Sequence, residues 1–484
     1  MGPYRNHPVL LVKYILICMF IGFVLTMTTT MVEFGLLALI PLFLFVRIWF
    51  KTRYTFTEDG IEVERSTAFK TDTNIPYSKV SSINVVRTIL DRLLGTVTVS
   101  FNINSGVNAS TPEVSLVLDI RTSEELKAFV ESKIHGDTES IQEEEYEAAN
   151  VVTFTDVEVI LHSFLSMPTG SIVSSIAVLI YSILQLMYGD KTGISGMFAM
   201  FLFIFTMVMP IARQLLRYFN FKAYRSGDII YLEHGMFQTY HSSFDVSRVN
   251  AVRFQSPLIP RLMGKSSIQA EVIGINAMSN DSTPTLCLMT TNEHNRRILE
   301  TLLPEFVSDD RITLQPKEAR VPLFLKAMIY SLIASGIVAS LCIAMFMCKS
   351  ELVADIGEIP FYTIIACAVA LAAIYVIACI FGCFVSMRSI GHHFGEDRFT
   401  LVFGVVDRVT TIMQYDRVQM ATEISDPISR HYGLSKCRIS FLSALGAKGD
   451  TRSGYMTEDD ARVVSDTILA RIRDGRYDYR KNEI

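Results

Sequence analysis

Two hydrophobic patterns alternate along this chain. Six stretches are almost unbroken apolar runs: residues 14–32, 34–50, 167–188, 192–212, 327–348 and 359–387. A helix needs roughly 20 such residues to cross a bilayer, so the runs predict six spanning helices in three closely spaced pairs. Arg47 is the one charge in the second run, near an end where its long side chain can reach water. The first run is too long for the apolar core of a signal peptide, and a second follows at once, so it reads as a retained span.

Between the pairs the pattern changes to a period of two. YTFTEDGIEVER (54–65) alternates about Glu58-Asp59-Gly60 and predicts a β-hairpin. A strand around Val80, Ile83 and Val85 follows, then the helical turn ILDRLLG, then TVTVSFNI with apolar residues on alternate positions. SGVNASTP reads as a loop and VSLVLDI (114–120) as another strand. TSEELKAFVESKI then has helical spacing, with Leu126, Phe129 and Val130 on one face and Thr122 and Glu125 at capping-box spacing. Alternating strands closed by one amphipathic helix predict a small antiparallel sandwich or barrel.

This grammar occurs three times. SKVSSINVVRTILDRLLGTV (78–97), SRVNAVRFQSPLIPRLMGKS (247–266) and DRVQMATEISDPISRHYGLS (416–435) share a basic residue before valine, an arginine 13 positions on and a glycine 16 positions on. The sets are Lys79, Arg92, Gly95; Arg248, Arg261, Gly264; and Arg417, Arg430, Gly433, each 169 residues after the last. A shared offset with an equal period marks an internal repeat. Thr291 and Thr457 open the closing helices of the second and third copies. The predicted divisions are hairpin 1–52, β unit 53–134, acidic linker and juxtamembrane segment 135–166, hairpin 167–222, β unit 223–305, linker and hairpin 306–388, and β unit 389–475.

Composition fits this reading. Half of the 484 residues are hydrophobic and 19% are charged, which is too apolar for an ordinary soluble protein. A net charge of −5 gives no footprint for nucleic acid. Basic residues (Arg5, Lys13, Arg47, Lys51, Arg53; Arg213, Arg217, Lys222, Arg225; Lys326, Arg388) gather where the runs meet the long polar segments, whereas the turns within pairs are short. By the positive-inside rule the three β units and both termini are expected in the cytoplasm. DVEVILHSFLSM (156–167) has the pattern of an amphipathic helix lying along the membrane surface.

The motifs IPYSKV…LDRLLG (75–95), FDVSRV…IPRLMG (244–264) and MQYDRV…ISRHYG (413–433), each after a helical hairpin, resemble the bacterial pleckstrin-homology-like (PH-like) membrane proteins. The third departs with His431-Tyr432 in its turn. The resemblance covers nearly the whole chain. It implies an integral membrane α + β protein: three repeats of a two-helix transmembrane hairpin followed by a curved, seven-stranded PH-like β sandwich with a C-terminal helix, in the bacterial cytoplasmic membrane. It implies no established biochemical activity.

The repeated basic residues Lys79/Arg92, Arg248/Arg261 and Arg417/Arg430 are the candidate binding groups, for anionic headgroups or a partner's carboxylates; the competing reading is internal salt bridges that fix the turn. Gly95, Gly264 and Gly433 are read as helix-ending residues with positive φ. The first-hairpin turns, Glu58-Asp59, Ser226-Gly227-Asp228 and Glu396-Asp397, are acidic or neutral, unlike the basic phosphoinositide loop of eukaryotic PH domains. The acidic run 135–150 reads as a solvated tether or a docking segment for a basic partner. No nucleotide-binding, hydrolase or zinc-protease motif occurs, and no cysteine pair has metal or redox spacing, so no enzyme, cofactor or metal is expected. The adjacent pair His392-His393 is not read as a metal site. The expected role is a non-enzymatic interaction scaffold. Its partners are the membrane, anionic lipid, or another protein, a smaller membrane protein of the same family among them. The alternative is a carrier or exporter of lipid or a small apolar or antimicrobial compound. No carboxylate or lysine interrupts the runs except at their ends, which weighs against ion-coupled transport.

Overall fold

The computed structural model describes residues 2–29, 37–66, 70–103, 114–135, 151–188, 194–272, 283–307, 311–350, 353, 357–442 and 448–475. The loop read at SGVNASTP, the acidic run after 135, and the turns at Glu33 and 189–191 lie outside these residues.

Unit 1 comprises α1 (Val9–Thr29), α2 (Leu39–Lys51), β1 (Thr52–Phe56), β2 (Gly60–Ser66), β3 (Lys70–Pro76), β4 (Val80–Arg87), α3 (Ile89–Leu94), β5 (Thr96–Ile103), β6 (Val114–Asp119) and α4 (Ile120–His135). Unit 2 repeats it: β7 (Val152–Thr153), α5 (Asp156–Leu165), α6 (Thr169–Tyr188), α7 (Ile194–Tyr218), β8 (Lys222–Ser226), β9 (Ile229–His234), β10 (Thr239–Asp245), β11 (Val249–Ser256), α8 (Leu258–Leu262), β12 (Lys265–Val272), β13 (Thr285–Thr291) and α9 (Asn292–Leu302). Unit 3 has β14 (Thr313–Leu314), α10 (Arg320–Met347), α11 (Glu358–Ser389), β15 (Gly391–Phe394), β16 (Arg398–Phe403), β17 (Arg408–Gln414), β18 (Val418–Ile424), α12 (Pro427–His431), β19 (Leu434–Leu442), β20 (Lys448–Arg452), β21 (Met456–Thr457) and α13 (Glu458–Arg473).

Four stretches, Thr169–Met187, Gly196–Tyr218, Lys317–Met347 and Phe361–Ser389, are long and apolar enough to cross a membrane. Their side chains, including Phe205, Leu332, Leu371 and Phe381, face outward, where only lipid would spare them water. The first pair is α1 and the 13-residue α2, whose connection lies outside the described residues.

Each chain segment that leads into a hairpin returns to its own unit. β7 pairs with β8, and β14 with β15. In unit 1 a single bridge, Tyr4 to Tyr54, takes that place. The alternating apolar positions of unit 1 point inward as the sequence pattern requires. Phe56, Ile61, Val99, Phe101 and Leu116 point into the unit 1 core, closed by Leu126 and Val130 of α4. Ile298, Leu299 and Leu302 of α9 close unit 2, and Val464 and Ile468 of α13 close unit 3.

The units are not three separate sandwiches. Two seven-stranded antiparallel sheets cross the junctions, ordered β6-β5-β4-β10-β9-β8-β7 and β13-β12-β11-β17-β16-β15-β14. Thus β4 of unit 1 pairs with β10 of unit 2, and β11 of unit 2 with β17 of unit 3. Only the ends differ, with a three-stranded sheet β1-β2-β3 and a four-stranded sheet carrying β18-β19-β20. At the second junction even the cores mix: Ala251 of unit 2 packs in the unit 3 core, and Ile412 of unit 3 in the unit 2 core.

One local expectation fails and another is narrowed, each for an identifiable reason. The chain passes from Asp119 straight into α4 at Ile120, so Thr122 lies inside the helix and cannot cap it. Glu125 instead meets Arg121 at 3.2 Å. The segment 156–167 forms α5 under a Thr155–Glu158 capping box, but one face is buried protein. Val159, His162 and Ser163 pack inward, and the Met289 N–H donates to His162 Nδ1 at 3.0 Å. Only its other face, Val157, Ile160 and Phe164, is free for a membrane.

Candidate membrane-facing site

The three short helices α3, α8 and α12 occupy equivalent places, each beside the base of a helical hairpin. In unit 1, Thr88 and Asp91 form a capping box on α3. Asp91 is fully buried and accepts from Lys13 Nζ of α1 at 2.7 Å and from Thr96 Oγ1 at 2.9 Å. Burial alone would raise the Asp91 pKa. The hydrogen bonds from Lys13, Thr88 and Thr96 outweigh it and hold the group below the usual carboxylate range.

Unit 3 reaches the same result with the residues exchanged. Asp426 caps α12, with Ser429 completing the box, and pairs with Lys326 at the start of α10. Lys326 also donates to Tyr455 Oη at 2.6 Å, and Lys436 stands over the Tyr455 ring at 4.1 Å.

Unit 2 has Pro257 and Pro260 at the corresponding places and no capping side chain of its own. The following unit supplies one. Asp407 accepts from the Leu258 N–H at 3.2 Å and from the Thr169 N–H, the first residue of α6, at 3.0 Å. Arg261 reaches the same turn, donating to the Val405 carbonyl at 2.8 Å and to Ser389 Oγ at the end of α11. Lys13 and Lys326, read from sequence only as flanking charges, and Asp407, which carries no sequence signal, are therefore joints between the β layer and the hairpins.

The side of α3 and α8 away from the core is apolar and open, whereas α12 shows Arg430 and His431 there. Ile89, Leu93 and Leu94 are exposed on unit 1, Leu258, Ile259, Leu262 and Met263 on unit 2, and Tyr432 on unit 3. Leu93 and Leu262 are about as exposed as a side chain can be, at 80% and 81%. Short helices such as α3 and α8, which show leucine and isoleucine at the foot of apolar hairpins, have the character of an interfacial contact.

The glycines that end these turns have φ of 69° (Gly95), 66° (Gly264) and 61° (Gly433). Each allows the chain to reverse directly into the next strand.

The basic pairs are not brought together. Lys79, Arg248 and Arg417 each end a 3-10 turn just before β4, β11 or β18. Arg92, Arg261 and Arg430 lie in the short helices after those strands. Seven or eight extended residues separate the ends by roughly 25 Å. Lys79 and Arg92 are exposed and form no ion pair among the described residues. The Arg430 guanidinium donates to Ser425 Oγ at 3.3 Å and forms no ion pair among the described residues. Arg248 is half-buried, and burial lowers its pKa against the opposing pull of Asp245.

Far from the hairpins, the first-hairpin turns of units 2 and 3 are engaged within their own units. Arg225 binds Glu305 at 2.9 Å and Asp228 at 3.4 Å, and Arg471 binds Asp397 at 3.0 Å and Asp416 at 3.2 Å. His392 is buried against Phe394, while His393 meets the Arg311 carbonyl at 3.2 Å. No group of metal-ligating side chains occurs among the described residues.

Tandem units of this kind, a helical hairpin followed by two small antiparallel sheets and a closing helix, define a protein of PH-like repeats. The bacterial PH domain profile matches three times, over residues 9–134, 169–302 and 339–472, and the chain belongs to that family. No curated protein and no solved structure matches it.

Proposed function

We propose that this chain is a non-enzymatic scaffold of the bacterial cytoplasmic membrane. Its hairpins would span the bilayer, and its three PH-like units would form one layer against the inner surface. The observation that carries the reading is the pair of shared sheets. They join three units into a single β layer, and every hairpin base is fastened to that layer. Three feet at corresponding places on one chain add their weak contacts, because after the first engages, the others act at high effective concentration.

Arg92 and Arg430 are the basic residues best placed for anionic headgroups. Lys79, Arg248 and Arg417 stand a strand's length away, where they suit a protein partner such as a smaller membrane protein of the same family. The test is purification from native membranes in a lipid-retaining polymer, with mass spectrometry of what stays bound. A scaffold retains a protein or anionic lipid in fixed proportion. Combining Arg92→Glu with Arg430→Glu should deplete anionic lipid, and added salt should do the same, since exposed ionic contacts are screened over about 8 Å at physiological ionic strength. Nothing retained, together with vectorial movement of a lipid or small apolar compound in reconstituted vesicles, would favour the carrier instead.

A further inference from the structure

The two junctions use one geometry twice. At the first, Phe244 stands opposite Ser82; at the second, Met413 stands opposite Ala251. These residues are separated by the same 169-residue period, so the registers are identical. Each junction joins a fourth-strand edge to the third-strand edge of the next unit. Three units in a row therefore leave one of each edge over. β3 of unit 1 corresponds residue for residue to β10 and β17, and β18 of unit 3 to β4 and β11. Among the described residues neither β3 nor β18 has a partner on its outer side.

Burial follows the same rule. Ser82 and Ala251, which lie inside junctions, are 4% and 0% exposed, whereas their counterpart Met420 is 44% exposed. Ser243 and Ile412 are buried, whereas their counterpart Asn74 is exposed. Unpaired strand edges with free N–H and C=O groups are templates for another strand.

We propose that copies of this chain join head to tail, β18 of one pairing antiparallel with β3 of the next in the register of the internal junctions. Met420 then faces Ile75, Ala421 faces Asn74, Thr422 faces Thr73, Glu423 faces Asp72, and Ile424 faces Thr71. The occupant is a second copy because the chain already makes this contact twice with its own repeats. An interface between two different edges does not close on itself in a dimer, so it propagates into an arc or ring. The Glu423–Asp72 pair sets its strength. Like charges directly opposite weaken a cross-strand contact. Lys70 pairs with Asp72 at 3.0 Å and lies diagonally from Glu423, so the repulsion is partly offset and the contact is weak and reversible. This inference holds whatever the layer carries, and so stands apart from the scaffold reading.

The test uses the full-length protein in its native membranes. Asn74→Cys combined with Ala421→Cys should give a ladder of disulfide-linked dimers and higher species on mild oxidation. Either change alone supplies the background from the eight native cysteines, all free. Thr73→Cys with Ala421→Cys, one residue out of register and on opposite faces, should not exceed that background. In a second measurement, Glu423→Lys should tighten self-association about fivefold, and adding Asp72→Lys should return it to the starting level, since like charges again face one another. Equal background in all cysteine variants overturns the proposal. So does no response to Glu423→Lys, or cross-linking only to a different, smaller protein.

Discussion

Gly95 has open space around the position of an added Cβ, so a substitution there tests backbone conformation alone. At φ 69° a β-branched residue is strained, and Gly95→Val should cost about 1–3 kcal/mol while Gly95→Asn costs much less. Thermal stability of the purified variants checks this; equal stability of the two would contradict it. His162 gives a pH-dependent counterpart. Burial pushes its pKa down to about 4, and its Nδ1 must stay unprotonated to accept from Met289. The unfolded chain, with a pKa near 6.5, binds the proton first as pH falls. The stabilisation is therefore complete above about pH 6.5 and is lost progressively toward pH 4, by about 3 kcal/mol in all. His162→Gln should flatten that slope, measured as melting temperature between pH 7 and pH 5. Residue 95 was legible because an arginine, a glycine and a period recur together. His162 was not, because the pattern around it describes a surface helix and does not say that another strand covers one face.

At the scale of elements, the alternation correctly marked Val97, Val99 and Phe101 as core-facing, but it does not predict outward residues, since Thr98, Ser100 and Asn102 of β5 and nearly all of β13 are buried as well. It does not specify which strand lies alongside, because backbone hydrogen bonds are the same for any neighbour. That is why β4 and β11 read as parts of their own units and turned out to pair with the next. The short helices were read as turns. Their exposed leucines gave no signal as a site, because apolar residues in so short a segment read equally as core. If α3 and α8 rest on lipid, fluorophores on Leu93→Cys and Leu262→Cys should be quenched by brominated lipid in reconstituted membranes. A fluorophore on Lys79→Cys, a strand's length away, should not be. Equal quenching at all three positions would refute the arrangement.

For the whole molecule, all three first-hairpin turns lie at the end of each β unit away from its helical hairpin. Glu58→Cys, Asp228→Cys and Glu396→Cys should therefore react with an impermeant thiol reagent only after the inner face of the membrane is exposed. Labelling of any one in intact cells would overturn the cytoplasmic placement. The threefold repeat and the hairpin-then-sheet order were plain in the sequence, because period and hydropathy are local quantities. The basic pairs drew notice as the most regular polar feature of the repeat; the intervening strand is extended and carries the two members of each pair to opposite ends. The joints made by Lys13, Asp407 and Lys326 depend on contacts between segments far apart in sequence, which no local pattern records.

The shared sheets also impose an order in time. Strand β4 leaves the ribosome with its pairing partner β10 still roughly 160 residues from synthesis. At bacterial rates that is a wait of about 8–30 s, during which the whole second hairpin must also be made. For that interval a growing chain presents the same open edge that β18 presents in the finished protein. Neighbouring ribosomes on one message would bring such edges close together, so the nascent protein is most open to mispairing between the first and second units.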